Sequence, residues 1–443
     1  MITTARAFAA SASRLPLAAT ALVLLLSGCS SDGPARLEGE RTPVRNVDPV
    51  ALSDSTTELR PLPIMVSPLA WTHAGGDAAH SGGNLPGPTT AKLVWRASAG
   101  TAPADLLPPG TPVASDGRIY VRDGASGVRA FDAASGRLVW TADLTLDGED
   151  YEVGYGGGLA LGGGALFATT GFGEVLALDP ASGAIRWRAR GDAPYRSAPV
   201  ATQGQVVAVS AINGVIGFDA ADGTVAWRSE GQSTRYGNLG RGSPAAAPGA
   251  ALIPFGSGEL SVIRIPSGVR VWSVNLGVSA GGEGLAAFSD LTSGPVLAGA
   301  IIVAGTASGQ LAGIDGRNGG QIWKRSFGSL SPVWVAGDSV YVVTTEPRLL
   351  RLDASTGRTM WARTLDGFED MEDRDGQITW AGPVLAGGRA WITSSDGRLL
   401  AFDGVSGEPR DVLEMPGGSV TGPIAYDGTI YVQTDDGQLL AYR

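Results

Sequence analysis

The chain has 443 residues, of which 43% are hydrophobic and 17% charged, so it can bury a large core and is not a disordered protein. Its formal net charge is −10, and an acidic chain without a basic run argues against sequence-independent nucleic-acid binding and against docking on anionic lipid headgroups by charge alone. The 66 glycines and 27 prolines are spread among apolar runs, which predicts many short strands joined by tight turns.

Residues 1–28 have the pattern of a secretory signal peptide. Arg6 and Arg14 precede an apolar stretch over residues 15–26, which is too short for a stable membrane span. The sequence Leu-Ser-Gly-Cys29 follows and resembles the bacterial lipobox, in which the cysteine is acylated and the signal is cleaved before it. We therefore predict lipidation of Cys29; the alternative is a chance cysteine near a cleavage site. Ser30 follows instead of aspartate, which by the same resemblance favours the outer membrane.

Cys29 is the only cysteine of the chain, so no intramolecular disulfide is possible in an oxidising compartment. Residues 29–65 are predicted to be a flexible tether, because prolines recur there and neither a helical nor an alternating period is sustained. The remainder, residues 66–443, is predicted to be one folded domain.

An internal repeat determines the predicted fold of this domain. The pattern Asp-x-x-x-Gly-x-x-x-Trp indicates a hairpin turn followed by a strand, since glycine accepts a positive φ and aspartate can bond its own turn. The complete copies end at Trp140, Trp187, Trp227, Trp323 and Trp361. Arg264 replaces the aspartate in the copy that ends at Trp272, and Asp411 replaces the tryptophan in the last copy. The tryptophans of this repeat, from Trp95 to Trp361, are 38 to 51 residues apart, the length of one four-stranded propeller blade.

Upstream of each copy lie a proline-containing strand and a second β-rich strand, so each repeat supplies four strands. Seven repeats are complete, and the chain stops at Arg443 after the third strand of an eighth. Residues 91–96 around Trp95 supply the missing strand. We therefore predict an all-β fold: an eight-bladed β-propeller of four-stranded antiparallel blades, closed by an N-terminal strand that completes the last blade. The alternatives are an open array instead of a ring, and a ligand cage formed by the tryptophans, which we interpret as wedges between blades.

The repeat resembles the pyrroloquinoline-quinone-like propeller family, which includes quinone-dependent dehydrogenases and the BamB family of outer-membrane assembly factors. The lipobox, the tether and the nearly minimal blades resemble the BamB family over essentially the whole mature chain. Residues 321–329 are also similar to a strand and turn of that family.

Two loops, residues 238–244 and 288–295, resemble loops with which the BamB family contacts BamA. The positions that the resemblance assigns to this contact are Leu239, Arg241, Asp290 and Thr292. Thr292 stands where the family pattern has a second acid, so this chain departs from the pattern at that position.

Catalytic alternatives find little support in the sequence. A quinone-dependent dehydrogenase needs calcium held by oxygen ligands and an aspartate base, and many carry an adjacent cysteine pair that this chain lacks. His73 and His80 lie near Asp77 and are a candidate metal site, but their glycine-rich stretch favours ordered packing on the ring. With no other histidine in the chain, a Ser-His-Asp triad or a histidine-rich zinc site elsewhere is excluded.

The densest acidic run, residues 368–376, lacks the ligand spacing of a calcium loop. It is interpreted as a solvated connection between blades, with contact to a partner as the second interpretation.

Together these features predict a lipid-anchored scaffold on the periplasmic face of the outer membrane, with no catalytic residue, cofactor or metal. By the resemblance, its partners are BamA and the other subunits of the Bam complex, with unfolded outer-membrane protein precursors as a further partner. Two alternatives stay open. One is a periplasmic dehydrogenase dependent on pyrroloquinoline quinone, and the other is a propeller lipoprotein with another periplasmic partner.

Overall fold

The computed structural model describes residues 58–100, 110–124, 126–150, 154–233, 242–277 and 290–443. The predicted signal peptide, Cys29, Leu239 and Arg241 fall outside these ranges. Within these ranges all the elements of secondary structure are β-strands. No helix there is long and apolar enough to cross a membrane. All the described residues belong to a single unit that spans Val50–Arg443.

Eight four-stranded antiparallel sheets follow one another along the chain, which confirms the predicted eight-bladed β-propeller. We name the strands of each blade A to D in the order in which they pair. In blades 1 and 2 these are Val113–Ser115, Arg118–Arg122, Gly127–Asp132 and Leu138–Asp143, then Gly157–Gly162, Ala165–Thr170, Glu174–Leu178 and Ile185–Arg190. In blades 3 and 4 they are Val200–Thr202, Gln205–Val209, Gly214–Asp219 and Val225–Glu230, then Ala245–Ala247, Ala250–Pro254, Glu259–Arg264 and Arg270–Asn275.

The other four blades repeat the arrangement. In blades 5 and 6 the strands are Val296–Ala298, Ile301–Gly305, Leu311–Asp315 and Gln321–Arg325, then Trp334–Ala336, Ser339–Val343, Arg348–Asp353 and Thr359–Thr364. In blades 7 and 8 they are Trp380–Ala386, Arg389–Ser394, Arg398–Asp403 and Pro409–Glu414, then Ile424–Tyr426, Thr429–Gln433, Gln438–Tyr442 and Leu93–Ser98. A short hairpin, Phe368–Asp370 with Asp375–Gln377, connects blades 6 and 7, and Ala70–Trp71 adds a short strand beside strand A of blade 1.

Strand A of each blade lies at the axis of the ring, and strand D lies at the rim. The A strands of neighbouring blades contact one another, whereas side chains of most D strands alternate between half-buried and exposed, as in Ile185–Arg190. Clusters of buried apolar side chains fill the space between successive blades. A blade cannot bury both of its faces alone, so the ring is the cooperative unit.

The repeated tryptophan is a wedge between blades, as predicted. Gly136, in the C–D turn of blade 1, has a φ of +70°, and a Cβ atom there would lie 2.5 Å from the ring of Trp95 in blade 8. The Nε1 atom of Trp95 donates to the carbonyl of Ala133 in the same turn over 3.2 Å. The same contact with the tryptophan of the preceding blade recurs at Gly183, Gly223, Gly268, Gly319, Gly357 and Gly407. Glycine and tryptophan recur together because any side chain at this position of the turn would occupy the space of the indole ring.

The contact between each C–D turn and the tryptophan of the preceding blade also explains why blade 7 lacks this tryptophan. Strand D of blade 8 comes from the other end of the chain, so blade 8 has no C–D turn beneath which a tryptophan could pack. Asp411, which stands in the tryptophan position, instead pairs with Arg389 of the same blade.

Strand D of blade 8, Leu93–Ser98, pairs antiparallel with the C-terminal strand Gln438–Tyr442. The register shifts just before Trp95, and the C–D pairs of the other blades shift at the equivalent position. Beyond the strand, Lys92 and Arg443 exchange two backbone hydrogen bonds of 3.0 Å.

Residues 70–85, which we call the axial strap, cross the ring along the A strands. The strap bonds to strand A of seven of the eight blades. Its partners there are Ala114, Leu161, Ala201, Ala246, Leu297, Val335 and Leu385. Strand A is the inner edge of each sheet, so the strap provides partners for backbone groups that the sheet itself leaves unpaired. The predicted packing of this segment on the ring is confirmed.

Candidate partner-binding surface

The two faces of the ring carry different connections. In each antiparallel blade the A–B and C–D turns lie at one face, the turn face. The B–C turns and the connections between blades lie at the other, the connection face. The axial strap bonds near the A–B turns, on the turn face. Asp290 and Thr292 precede strand A of blade 5, so this predicted contact loop lies on the connection face.

The structure places Asp290 and Thr292 in a well-packed part of this loop. Asp290 is 6% exposed and Thr292 is 5% exposed. Thr292 Oγ1 donates to the carbonyl of Ser329 over 2.7 Å, and the carbonyl of Asp290 accepts from the amides of Thr292 and Ala307 at 2.9 and 3.2 Å. In this conformation the Thr292 hydroxyl therefore joins two neighbouring connections of the ring.

The two predicted contact loops meet where the structure describes them. A Cβ atom at Gly242, just after the first loop's Arg241, would lie 2.0 Å from the carbonyl oxygen of Leu291. A Cβ atom at Gly294 would lie 3.1 Å from the carbonyl oxygen of Ser243. The backbones of the blade 3–4 and blade 4–5 connections are therefore in direct contact, and one partner surface can reach both.

The acidic run, residues 368–376, lies in a hairpin of its own, residues 368–377, on the connection face. Its side chains are mostly exposed. Five of them are acidic, and only one, Arg374, is basic. The base of the hairpin is fixed: Trp380 Nε1 donates to the carbonyl of Asp366 over 2.7 Å, and Arg398 pairs with the Asp366 carboxylate at 2.7 Å. The hairpin is thus a negatively charged projection on an anchored base.

His73 and His80 are used inside the protein. The amide of Ala201 donates to His73 Nε2 over 3.0 Å, so the proton of the neutral ring is on Nδ1, which lies 2.8 Å from Thr72 Oγ1. His80 Nδ1 lies 3.1 Å from the carbonyl of Pro295, an arrangement that requires the proton on Nδ1. Among the described residues no group of three or more His, Cys, Asp or Glu side chains is arranged to hold a metal ion.

Burial strongly favours the neutral form of both rings. Desolvation, with a smaller contribution from His80, lowers the pKa of His73 to about 3. Desolvation likewise lowers the pKa of His80 to about 4, although the nearby Asp77 carboxylate opposes that shift. The sequence predicted packing of this stretch on the ring but not the partners of the two histidines, which lie more than a hundred residues away along the chain.

An axial cavity of about 110 Å³ lies at the connection face, with the strap as its floor. Its polar lining includes Ser197, Ser243, Ser331, Thr421, Arg196 and His80. Arg196 is already engaged, since it donates to the carbonyl of Tyr155 over 2.6 Å and lies 3.9 Å from the centre of that ring. The described residues that line the cavity include no carboxylate, so they do not fit a calcium-bound quinone.

A ring of eight four-stranded blades, with a tryptophan wedge at the recurring turns, defines a propeller of the pyrroloquinoline-quinone-like class. Comparison with known proteins identifies the group within this class. The chain belongs to the family described as outer membrane protein assembly factor BamB, whose model matches residues 87–152, 125–363 and 369–443.

Individual relatives agree with this assignment. The chain is 30% identical over 363 residues to the outer membrane protein assembly factor BamB of Salmonella typhimurium, a match that covers 80% of this chain and 88% of that protein. The crystal structure of BamB from Moraxella catarrhalis aligns with a TM-score of 0.62 at 18% identity, covering 80% of this chain and 98% of that one.

A quinohemoprotein alcohol dehydrogenase from Comamonas testosteroni aligns with a TM-score of 0.64 at 17% identity, covering 84% of this chain and 80% of that one. Because the two structural alignments are equally good, they establish the fold and do not distinguish an assembly factor from an enzyme.

Proposed function

We propose that this chain is a lipid-anchored scaffold subunit of the outer-membrane β-barrel assembly (Bam) machinery. Membership of the BamB family carries this proposal. Acylation at Cys29 would hold the ring on the periplasmic face of the outer membrane. There it would bind BamA and other subunits of the complex, and would aid the insertion of outer-membrane proteins, with unfolded precursors as a further partner.

The connection face is the proposed site of contact with BamA. The direct contact between the blade 3–4 and blade 4–5 connections supports a single binding surface that includes Leu239, Arg241, Asp290 and Thr292. Because Asp290 and Thr292 are almost fully covered, we propose that Arg241 and Leu239 make the dominant contacts and that the Asp290 loop supports them. The acidic hairpin over residues 368–377 is a second candidate contact on the same face.

The proposed scaffold has no catalytic function. Its axial cavity lacks carboxylates among the described lining residues, and both histidines are engaged in packing the strap. The alternative, a dehydrogenase dependent on pyrroloquinoline quinone, derives from the likeness of the fold to quinoprotein enzymes. The absorption spectrum of the purified protein distinguishes the two, since stoichiometric quinone would support the enzyme.

We also propose that the pairing of Leu93–Ser98 with Gln438–Tyr442 closes the ring in the mature protein. Closure by this pairing would leave no open interface between the first and last blades, so the connection face would be a fixed surface on which loops from distant parts of the sequence keep their spacing. A rigid surface reduces the conformational entropy that is lost when a partner binds.

Charge reversal at the contact surface tests the proposal. Arg241→Glu, in the anchored protein, is expected to reduce the recovery of BamA on affinity purification by tenfold or more. Arg228→Glu, an exposed residue on strand D of blade 3, is the matched control and should leave recovery unchanged. Equal recovery with the two variants would show that the blade 3–4 connection is not the contact.

A further inference from the structure

A strip of exposed apolar side chains lies just before the axial strap. Its large members are Leu59, Ile64, Met65, Val66 and Leu69. Ile64 is 86% exposed and Leu69 is 92% exposed. Elsewhere in the described chain, most exposed large apolar side chains lie singly or in pairs on the D strands of different blades. This strip instead concentrates five of them within eleven residues, and such a concentration of exposed apolar side chains is typical of an interaction site.

The strip is attached to the ring at several points. Arg60 pairs with the buried Asp353 at 2.9 Å, and its carbonyl accepts from Arg351 Nη2 over 2.8 Å. Asn84 Nδ2 donates to the carbonyl of Pro63 over 3.0 Å, and the amide of Val66 donates to the carbonyl of Asn84 over 2.8 Å. The exposed side chains therefore project from a fixed backbone, although part of this segment falls within the sequence-predicted tether.

The strip carries no charge along most of its length. Residues 61–76 include no Asp, Glu, Lys or Arg, and the next charged residue is Asp77. Loops in contact with water are usually polar, and a charged side chain would be costly to move into hydrocarbon. A strip of bulky aliphatic side chains whose one charged residue, Arg60, is paired with Asp353 is suited to an apolar surface and does not require that surface to carry charge.

The position of the strip indicates which apolar surface it meets. It lies on the turn face, where a Cβ atom at Gly337 would be 3.4 Å from Pro63 and one at Gly388 would be 3.7 Å from Leu62. Leu59 is 30 positions after Cys29 in the sequence. A random coil of that length has a typical end-to-end distance of about 30 Å, so with the tether that the sequence predicts, an acyl anchor at Cys29 would keep the strip within reach of the bilayer.

We propose that the strip over residues 59–69 docks on the surface of the bilayer that receives the acyl chains. This inference rests on the lipid anchor of the proposed function. It adds an orientation: the turn face lies towards the membrane, and the connection face, with its proposed partner loops, points away from it. Docking is apolar, so it is insensitive to salt and gains nothing from anionic lipids.

A dye placed in the strip tests docking directly. Because Cys29 is the only cysteine, the chain from residue 30 onward has no thiol, and Leu69→Cys introduces a single labelling site. A hexahistidine tag at the N-terminal end of this chain replaces the acyl anchor. It binds the chain to phosphatidylcholine vesicles that contain a nickel-chelating lipid. An environment-sensitive dye at residue 69 is expected to shift to the blue and brighten at least threefold on the vesicles, equally in low and high salt.

The matched control is Val412→Cys, at a 68% exposed position on strand D of blade 7, whose dye should not respond. Adding Ile64→Asp and Met65→Asp to the Leu69→Cys chain should abolish the response without lowering the melting temperature. An unresponsive dye at residue 69, or an equal response at residue 412, would overturn the proposal. The proposal would also be overturned if the protein forms concentration-dependent dimers in solution and the two aspartates dissociate them. The strip would then bind a second copy of the chain.

The scaffold proposal and the membrane-docking proposal can be refuted independently of each other. Arg241→Glu is expected to reduce BamA recovery and leave the dye response intact. The aspartate pair should remove the dye response and leave partner binding by the soluble chain intact. Loss of BamA recovery in every form of the protein would contradict the scaffold role without affecting the docking result.

Discussion

Lowering the pH from 7 to 5 should destabilise the ring, because the two strap histidines become protonated in the unfolded chain but stay neutral in the folded one. Their pKa values are about 3 and about 4 in the folded protein, against 6.5 in the unfolded chain. The unfolded chain therefore binds more protons as the pH falls below 6.5. The stability that the neutral rings provide is complete above that pH and is lost progressively as the pH falls towards the folded pKa values.

The size of the effect follows from these values. At pH 5 an unfolded-state histidine is almost fully protonated while each strap histidine is still neutral, which costs about 2 kcal/mol per residue relative to pH 7. For the two together, the free energy of unfolding should fall by about 4 kcal/mol. The chain has only two histidines, so few other groups titrate between pH 7 and pH 5.

Urea unfolding at pH 7, 6 and 5, followed by tryptophan fluorescence, measures this loss. The chain with His73→Gln and His80→Gln serves as the non-titrating reference and should lose much less stability over the same range. The protection factor of the Ala201 amide, which donates to His73, should be lower at pH 5 than at pH 7 in the wild type once the intrinsic exchange rate at each pH is taken into account. A double variant that retains the full pH dependence would refute this reasoning.

Three further predictions concern the ring itself. Trp323→Ala removes a buried wedge and should lower the free energy of unfolding by about 3–5 kcal/mol in urea titrations, whereas a loss below about 1 kcal/mol would contradict the wedge role. Thr292→Val removes the hydrogen bond that joins two connections and should cost about 1–3 kcal/mol by thermal unfolding; no loss would show that the bond is dispensable. Ser98→Cys and Gln438→Cys, placed opposite each other in the Cys29→Ser chain, should oxidise to a disulfide that joins the two ends of the ring, and persistent free thiols would argue against the proposed closure.

The ring was predictable from sequence because each blade uses the same local physics. The glycine of each turn and the tryptophan of the preceding blade occupy one shared contact, so the pattern survives even where the aspartate becomes Arg264. The loss of the last tryptophan at Asp411 was visible in the sequence as well. Its reason appeared only with the topology, because blade 8 has no C–D turn.

The strap and the covered state of Asp290 were not predictable in the same way. Residues 70–85 have no period, and their partners lie on seven different blades, so only the assembled set of blades defines their contacts. Resemblance drew attention to the loop that contains Asp290, but its burial depends on packing against neighbouring connections. Local patterns specify repeats well, whereas contacts across the axis depend on the assembled fold.

The central claim is that the ring serves as a scaffold in outer-membrane protein assembly. Affinity purification of the anchored wild-type protein from gently solubilised outer membranes tests it most directly. The account predicts that BamA co-purifies in near-stoichiometric amount and that the purified chain shows no quinone absorption. Absence of BamA from the eluate would contradict it, and a stoichiometric quinone spectrum would favour the enzyme instead.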